Sequence, residues 1–235
     1  PYSRYVFFNM YDGAKWLGPQ RIDGGSTNNF YVELAADNLG YVHAVWTGTN
    51  YQAMYRRFNG STWEGLIPSG TPGSHPTVAA NDSGEVMVAF IGANYLGLKI
   101  TYRIGDGVTF SPPVSIDEYG EPDVSVDRNG TFYLAYVDNS TYQAAYRTWN
   151  GQAWSEETIL EGNCGSFVKM FHSDSGTADF ICLEAMSHWH FDGLTWSEPT
   201  HISAGGSWVN AFGSPDGVVQ VVWSTIASGT AEDAF

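Results

Sequence analysis

The sequence holds 235 residues with 27 Gly, 15% aromatic and only 15% charged side chains, and its formal net charge is −15. That acidity excludes nucleic acid and anionic lipid as partners, since both call for basic patches, and no run of about 18 apolar residues could cross a membrane. Lys occurs three times (Lys15, Lys99, Lys169), so long amphipathic helices are excluded in favour of short strands and tight turns.

In chain order, Tyr5–Met10 reads as a strand that ends on Asp12-Gly-Ala-Lys-Trp16. After it, one set of elements recurs. A short strand leads to a turn ending in Gly at Asp37–Gly40, Asn81–Gly84, Asp127–Gly130, Ser173–Gly176 and Ser214–Gly217, with Gly spacings of 44, 46, 46 and 41. Each turn opens a β-rich run whose sixth residue is Trp46, Phe90, Tyr136, Cys182 or Trp223. A third strand carries Tyr55-Arg56, Tyr102-Arg103 or Tyr146-Arg147, with His188-Trp189 and Phe8-Asn9 in the same columns. It ends on Asn/Asp-Gly-x-x-Trp/Phe, reaching Trp63, Phe110, Trp154 and Trp196 as well as Trp16. Asn-Gly and Asp-Gly between apolar runs predict two-residue hairpin turns with positive φ at both central positions. A fourth strand is predicted to start at that aromatic residue.

Four-stranded units repeating every 40 to 50 residues describe the blades of an all-β propeller. The N-terminus supplies strands three and four of a unit and the C-terminus supplies strands one and two. The reading is therefore a single domain over 1–235, a five-bladed β-propeller of four-stranded antiparallel blades. The blades are 206–235 plus 1–26, 27–73, 74–120, 121–162 and 163–205, the first of them closed by pairing of the two chain ends. The first residue, Pro1, is not Met, which reads as a mature or excised product.

In such a fold both kinds of Gly turn share one face, and the loops between strands two and three and between blades share the other. Binding residues favour variable loops on a rigid scaffold. Those loops hold the candidate ligand-binding residues Asn50, Tyr51, Tyr95, Tyr119, Asp138, Asn139, Tyr142 and Trp208, together with His75, Glu118 and Glu121. Tyr beside amides and carboxylates is the chemistry that stacks on sugar faces and bonds their hydroxyls. The aromatic columns are expected to pack blade on blade, and Arg56, Arg103 and Arg147 to pair with acidic neighbours. His188 and His190 with Asp192 form a minimal metal set, read as a blade edge. Cys164 and Cys182 fall on adjacent strands, where a disulfide and two buried thiols both fit. No cofactor is expected beyond a calcium ion that the acidic loops could hold.

Units of the form Tyr-Arg-x-x-Asn-Gly-x-x-Trp followed by an Asp-x-x-Gly turn resemble the sialidase-type (Asp-box, or BNR) repeats of secreted propellers. They are also similar to the five-bladed tachylectin-type and the fucose-binding propeller lectins. The Asp-box sets its Asp two residues before the Gly with a preceding Ser, whereas here Asn59 and Asp192 stand directly before it. No sialidase site maps onto this chain, so none is carried over. The lectin resemblance implies a secreted or surface-displayed, non-catalytic carbohydrate-binding module whose partner is a glycan or surface polysaccharide. A glycoside hydrolase or polysaccharide lyase with carboxylates such as Asp117, Glu118, Glu121, Asp123 and Asp138 in a central funnel is the catalytic alternative. A protein-interaction module of a larger surface assembly is the third.

Overall fold

The computed structural model describes residues 3–94, 97–116, 118, 120–138, 140–165, 167–203 and 207–224. The chain divides into two compact units, Pro1–Val124 and Ser125–Phe235. Among the described residues every regular element is a β-strand.

In the first unit, β1 (Phe7–Phe8) and β2 (Gln20–Arg21) form a two-stranded sheet. Next come β3 (Phe30–Ala36), β4 (Val42–Gly48), β5 (Gln52–Phe58), β6 (Ile67–Ala80), β7 (Val86–Asn94), β8 (Gly97–Gly105) and β9 (Val114–Ser115), joined in that order as one seven-stranded sheet. The sheet spans the two expected blades 27–73 and 74–120 because β6 serves both. Its start pairs with β5 at Ile67 and Pro68, and its end pairs with β7 from Thr77 to Ala80. The expected boundary at 73/74 thus lies inside a continuous strand, marked by a register shift between Ser74 and Thr77.

β10 (Asp123–Val126) crosses the division between the units and heads a four-stranded sheet with β11 (Phe132–Asp138), β12 (Gln143–Trp149) and β13 (Thr158–Asn163). The second unit continues with β14 (Val168–His172), β15 (Ala178–Cys182), β16 (Ser187–Phe191) and β17 (Thr200–His201) as another four-stranded sheet. β18 (Ser207–Gly213) and β19 (Val219–Ser224) form a two-stranded sheet. The structure thus shows antiparallel four-stranded units of the expected kind, within five sheets.

Both turns repeat at atomic detail. In the first kind the N–H of Gly40, Gly84, Gly130, Gly176 and Gly217 donates to the carbonyl three residues earlier, at 2.9–3.3 Å. The side chain that opens the turn (Asp37, Asn81, Asp127, Ser173 or Ser214) accepts the N–H four residues on. The second kind corrects the expectation of two positive-φ residues. Only the Gly is left-handed, with φ between 78° and 100° at Gly13, Gly60, Gly107, Gly151 and Gly193. The preceding Asp12, Asn59, Asp106, Asn150 or Asp192 instead folds its side-chain oxygen back onto the N–H groups two and three residues ahead. This self-capping makes an Asx turn, so the residue before Gly needs no positive φ.

Strand four does not begin at the aromatic residue either. Trp16, Trp63, Phe110, Trp154 and Trp196 each make one isolated bridge back to strand three, and the fourth strands start later. The aromatics pack as expected: Trp63 lies 5.0 Å from Phe8, Phe110 meets Tyr55 edge-on at 4.8 Å, and Trp196 lies 5.8 Å from Tyr146. Trp46, Phe90 and Tyr136 of the strand-two column are fully buried, each contributing roughly 2–3 kcal/mol through area removed from water. Cys182 takes that column's place in its sheet and forms a disulfide with Cys164, Cα to Cα 5.0 Å.

The Arg column departs from its expected acidic pairing. Arg56 donates to the carbonyls of Glu64 (2.7 Å) and Ile22 (2.9 Å), and Arg103 to those of Ser111 (2.7 Å) and Pro68 (3.0 Å). Each ties its strand to the fourth strand of the preceding repeat. Arg147 alone approaches a carboxylate, Glu157 at 3.8 Å, and also donates to the Tyr136 hydroxyl at 2.9 Å. A planar guanidinium with five donors can satisfy carbonyls left open at strand ends, which an ion pair cannot.

Candidate functional site

The loops that join strands two and three end in a left-handed residue: Tyr51 (φ 51°), Tyr142 (φ 57°) and Met186 (φ 50°). A β-carbon in this region costs about 1 kcal/mol. A repeated contact holds it there, because each of these carbonyls accepts an N–H from the connection to the next repeat. The donors are Gly73 (2.6 Å), Cys164 (2.9 Å) and Ile202 (2.8 Å). The twist turns the Tyr51 and Tyr142 side chains outward, 71% and 62% exposed, while Met186 is buried. Asn50 is also left-handed, at φ 63°.

A second column of left-handed residues begins strand one. Tyr31 and His75 both have φ 50° and sit at register shifts in β3 and β6. The His75 N–H donates to Thr47 Oγ1 at 3.1 Å. The Tyr31 ring lies 3.6 Å from the His75 ring, and His75 Nε2 lies 3.1 Å from Glu121 Oε1. With Nε2–H donating to the carboxylate, Nδ1 accepts from Ser74 Oγ at 3.2 Å. Burial pushes the His75 pKa below the ordinary imidazole value, so the ring is neutral at pH 7. Within the first unit, three successive repeats therefore place Tyr31, His75 and Glu121 in one contact chain, with Asn50 and Tyr51 on the adjoining loop.

This column has a sequence signature. Nine residues before each turn Gly stand Tyr31, His75, Glu121, Phe167 and Trp208. Two residues further along, Glu33, Thr77 and Asp123 form an inner layer in which Thr77 Oγ1 lies 3.5 Å from each carboxylate and accepts the Val124 N–H at 3.2 Å. Thr77 and Asp123 are buried, so they brace strand starts.

The expected residues fall unequally. Tyr51 and Tyr142 are presented to solvent. Asp138 is buried and turned into its own loop, accepting from Ser140 N–H (2.7 Å), Ser140 Oγ (2.8 Å) and Thr141 Oγ1 (2.8 Å). Burial opposes its ionisation, but those bonds outweigh it and hold its pKa below the usual carboxylate value. Trp208 is placed on β18 by its backbone alone, and Tyr95, Tyr119 and Asn139 lie outside the described residues. His188 and His190 converge on Asp179 Oδ1, at 2.8 and 2.9 Å, rather than on Asp192. Among the described residues no cluster has the makings of a metal site.

No known family and no curated protein matches the sequence. Among solved structures, the chain is similar to a Hadza microbial sialidase, with 16% identity and a TM-score of 0.56 over 77% of this chain and 48% of that one. It is similar to a mutant of Aleuria aurantia lectin in complex with Fucα1-6GlcNAc, with 12% identity and a TM-score of 0.59 over 82% and 70% of the two chains. A protein of unknown function from Dyadobacter fermentans gives 12% and 0.59 over 82% and 74%. These likenesses support a propeller-like, all-β fold. The chain spans about half the length of the sialidase, and the likeness carries the architecture alone.

Proposed function

We propose that this propeller is a secreted or surface-displayed carbohydrate-binding module whose five blades close into a ring through the two chain ends. The observation that carries the reading is the set of exposed tyrosines fixed in left-handed backbone on rigid strands, Tyr51 and Tyr142 at loop ends and Tyr31 against His75. Aromatic faces held in advance stack on sugar rings at little entropic cost, and Asn50 and Glu121 supply amide and carboxylate for hydroxyls. Tyr95, Tyr119, Asn139 and Trp208 are proposed to extend the same face, with Asp138 shaping the loop that presents Tyr142. The lectin neighbour binds Fucα1-6GlcNAc and the sialidase neighbour acts on sugars by its name, which supports this class of partner. The Cys164–Cys182 disulfide supports an oxidising compartment.

A glycan array with purified protein, in calcium and again in EDTA, tests the proposal. A defined glycan signal is expected, weakened about tenfold or more in Tyr51→Ala or Tyr142→Ala, in line with losing an aromatic anchor. A blank array in both conditions overturns it. Sugar release from a polysaccharide would instead establish the catalytic alternative.

A further inference from the structure

Between strands β11–β12 and β14–β16, on the side of the short turns, lies a cavity of about 290 Å³. Its lining is polar for the most part, with Tyr133, Tyr146, Phe191 and Trp196 forming an aromatic side. Tyr133 and Tyr146 have ring centroids 5.9 Å apart with planes at 35°, and Tyr146 and Trp196 are 5.8 Å apart at 55°. Trp196 Nε1–H donates to the Tyr146 hydroxyl at 3.2 Å and fixes that corner. His172 lies 4.3 Å from Tyr133, and its buried Nε2 has no hydrogen-bond partner. Asp127 borders the same space, its carboxylate capping its own turn through the Asn129 and Thr131 N–H groups and accepting from the Tyr133 hydroxyl.

The first unit shows what this geometry accommodates. There His43, Tyr55, Phe110 and Asp37 occupy the repeat positions of Tyr133, Tyr146, Trp196 and Asp127. The corresponding region contains a cation of the chain's own. Arg57 sets its guanidinium 4.4 Å over the Tyr41 ring, bonds the Asp106 carbonyl at 2.7 Å, and pairs with Glu64 at 2.9 Å. The position equivalent to Arg57 in the later repeat is Thr148, paired with Tyr133 across β11 and β12 and without a charge.

We propose that the cavity binds a small organic cation of the alkylammonium or quaternary ammonium class, held by the faces of Tyr133, Tyr146 and Trp196 and by the charge of Asp127. Aromatic faces attract such cations electrostatically, and desolvation strengthens the attraction. The net charge of −15 favours cation approach. Burial lowers the His172 pKa to about 4, so its imidazole adds no opposing charge at pH 7. Arg128 also lines the cavity, its guanidinium against Gly176 and donating to the Asp174 carbonyl at 3.0 Å, so the cation must seat on the aromatic side away from it.

The test is calorimetric titration with choline against its neutral carbon isostere, 3,3-dimethyl-1-butanol. Choline is expected to bind about tenfold tighter than the isostere. Asp127→Asn should weaken choline about threefold or more while keeping its turn, since Asn81 caps the equivalent turn. Thr148→Arg, which places a cation beside Tyr133, should weaken choline binding about tenfold or more and leave the loop-face glycan signal unchanged. Equal binding of choline and isostere, no choline binding at millimolar concentration, or full choline binding in a folded Thr148→Arg protein would each overturn the proposal.

Discussion

His172 shows how packing sets a charge state. The ring is wedged beside Tyr133, and burial outweighs the favourable fields of Asp127 and Asp179, leaving its pKa at about 4. In the unfolded chain the same ring titrates near 6.5. Between those values the unfolded state holds a proton that the folded state does not. The stability contributed by the neutral ring is therefore complete above pH 6.5 and falls as pH drops toward 4. Urea unfolding at pH 4.5 and 7.5 should show wild type losing about 2–3 kcal/mol more than His172→Gln. Equal losses would place the ring in water. This site has no signature in the sequence, since His172 replaces Ala36, Ala80, Val126 and Gly213 at the same place in other repeats, and nothing in its neighbours along the chain foretells burial. Tyr51 and Tyr142 are legible because their loops join strands two and three of units whose turns recur at regular spacing. Tyr31 was missed because its strand reads as an ordinary β run, and the register shift that re-aims it depends on pairing with β4.

At the scale of elements, the two turns carry the repeat, and their chemistry explains why they were easy to find and easy to misassign. Asn or Asp before Gly marks a hairpin whichever turn it forms. Only hydrogen-bond accounting separates a two-residue turn from an Asx turn in which the side chain performs the capping. The Gly is required in either case, and its neighbours decide by how much. Gly13 (φ 94°) has open space where a β-carbon would go, so Gly13→Ala should cost about 1 kcal/mol, the left-handed penalty alone. At Gly107 (φ 78°) a β-carbon would also sit 2.8 Å from the Tyr55 hydroxyl and 3.0 Å from Arg57 Cδ. Gly107→Ala should cost more by about 1–2 kcal/mol in the same denaturation assay, and equal costs would show that the Tyr55–Arg57 contact yields freely. The merging of two expected blades through β6 was not legible. Its connection, Ser69 to Ser74, is rich in Gly and Pro and reads as a loop, yet Gly73 and Ser74 keep pairing with Gly92 and Ile91.

At the scale of the whole molecule, the ring proposed above makes a direct claim about β19. The fifth residue after the turn Gly is fully buried at Val45, Ala89, Ala135 and Ile181, whereas its counterpart Val222 is 67% exposed. An apolar residue so placed calls for a covering strand. In the four complete repeats that position pairs with the residue four before the Asn/Asp-Gly turn: Val45 with Tyr55, Ala89 with Tyr102, Ala135 with Tyr146, Ile181 with His188. In the proposed ring the same offset would set Val222 opposite Phe8 and Trp223 opposite Phe7. A continuous loop face, and with it the proposed glycan site, depends on that closure. Adjacent antiparallel pairs alternate between wide and close spacing, so one of these two is the close kind in which a disulfide forms readily. The most direct test is therefore mass spectrometry of the oxidised double variants Phe7→Cys/Trp223→Cys and Phe8→Cys/Val222→Cys. The closed ring predicts an intramolecular disulfide in at least one of them, joining positions 7 and 223 or 8 and 222. Free thiols in both variants, or cross-links only between molecules, would contradict it.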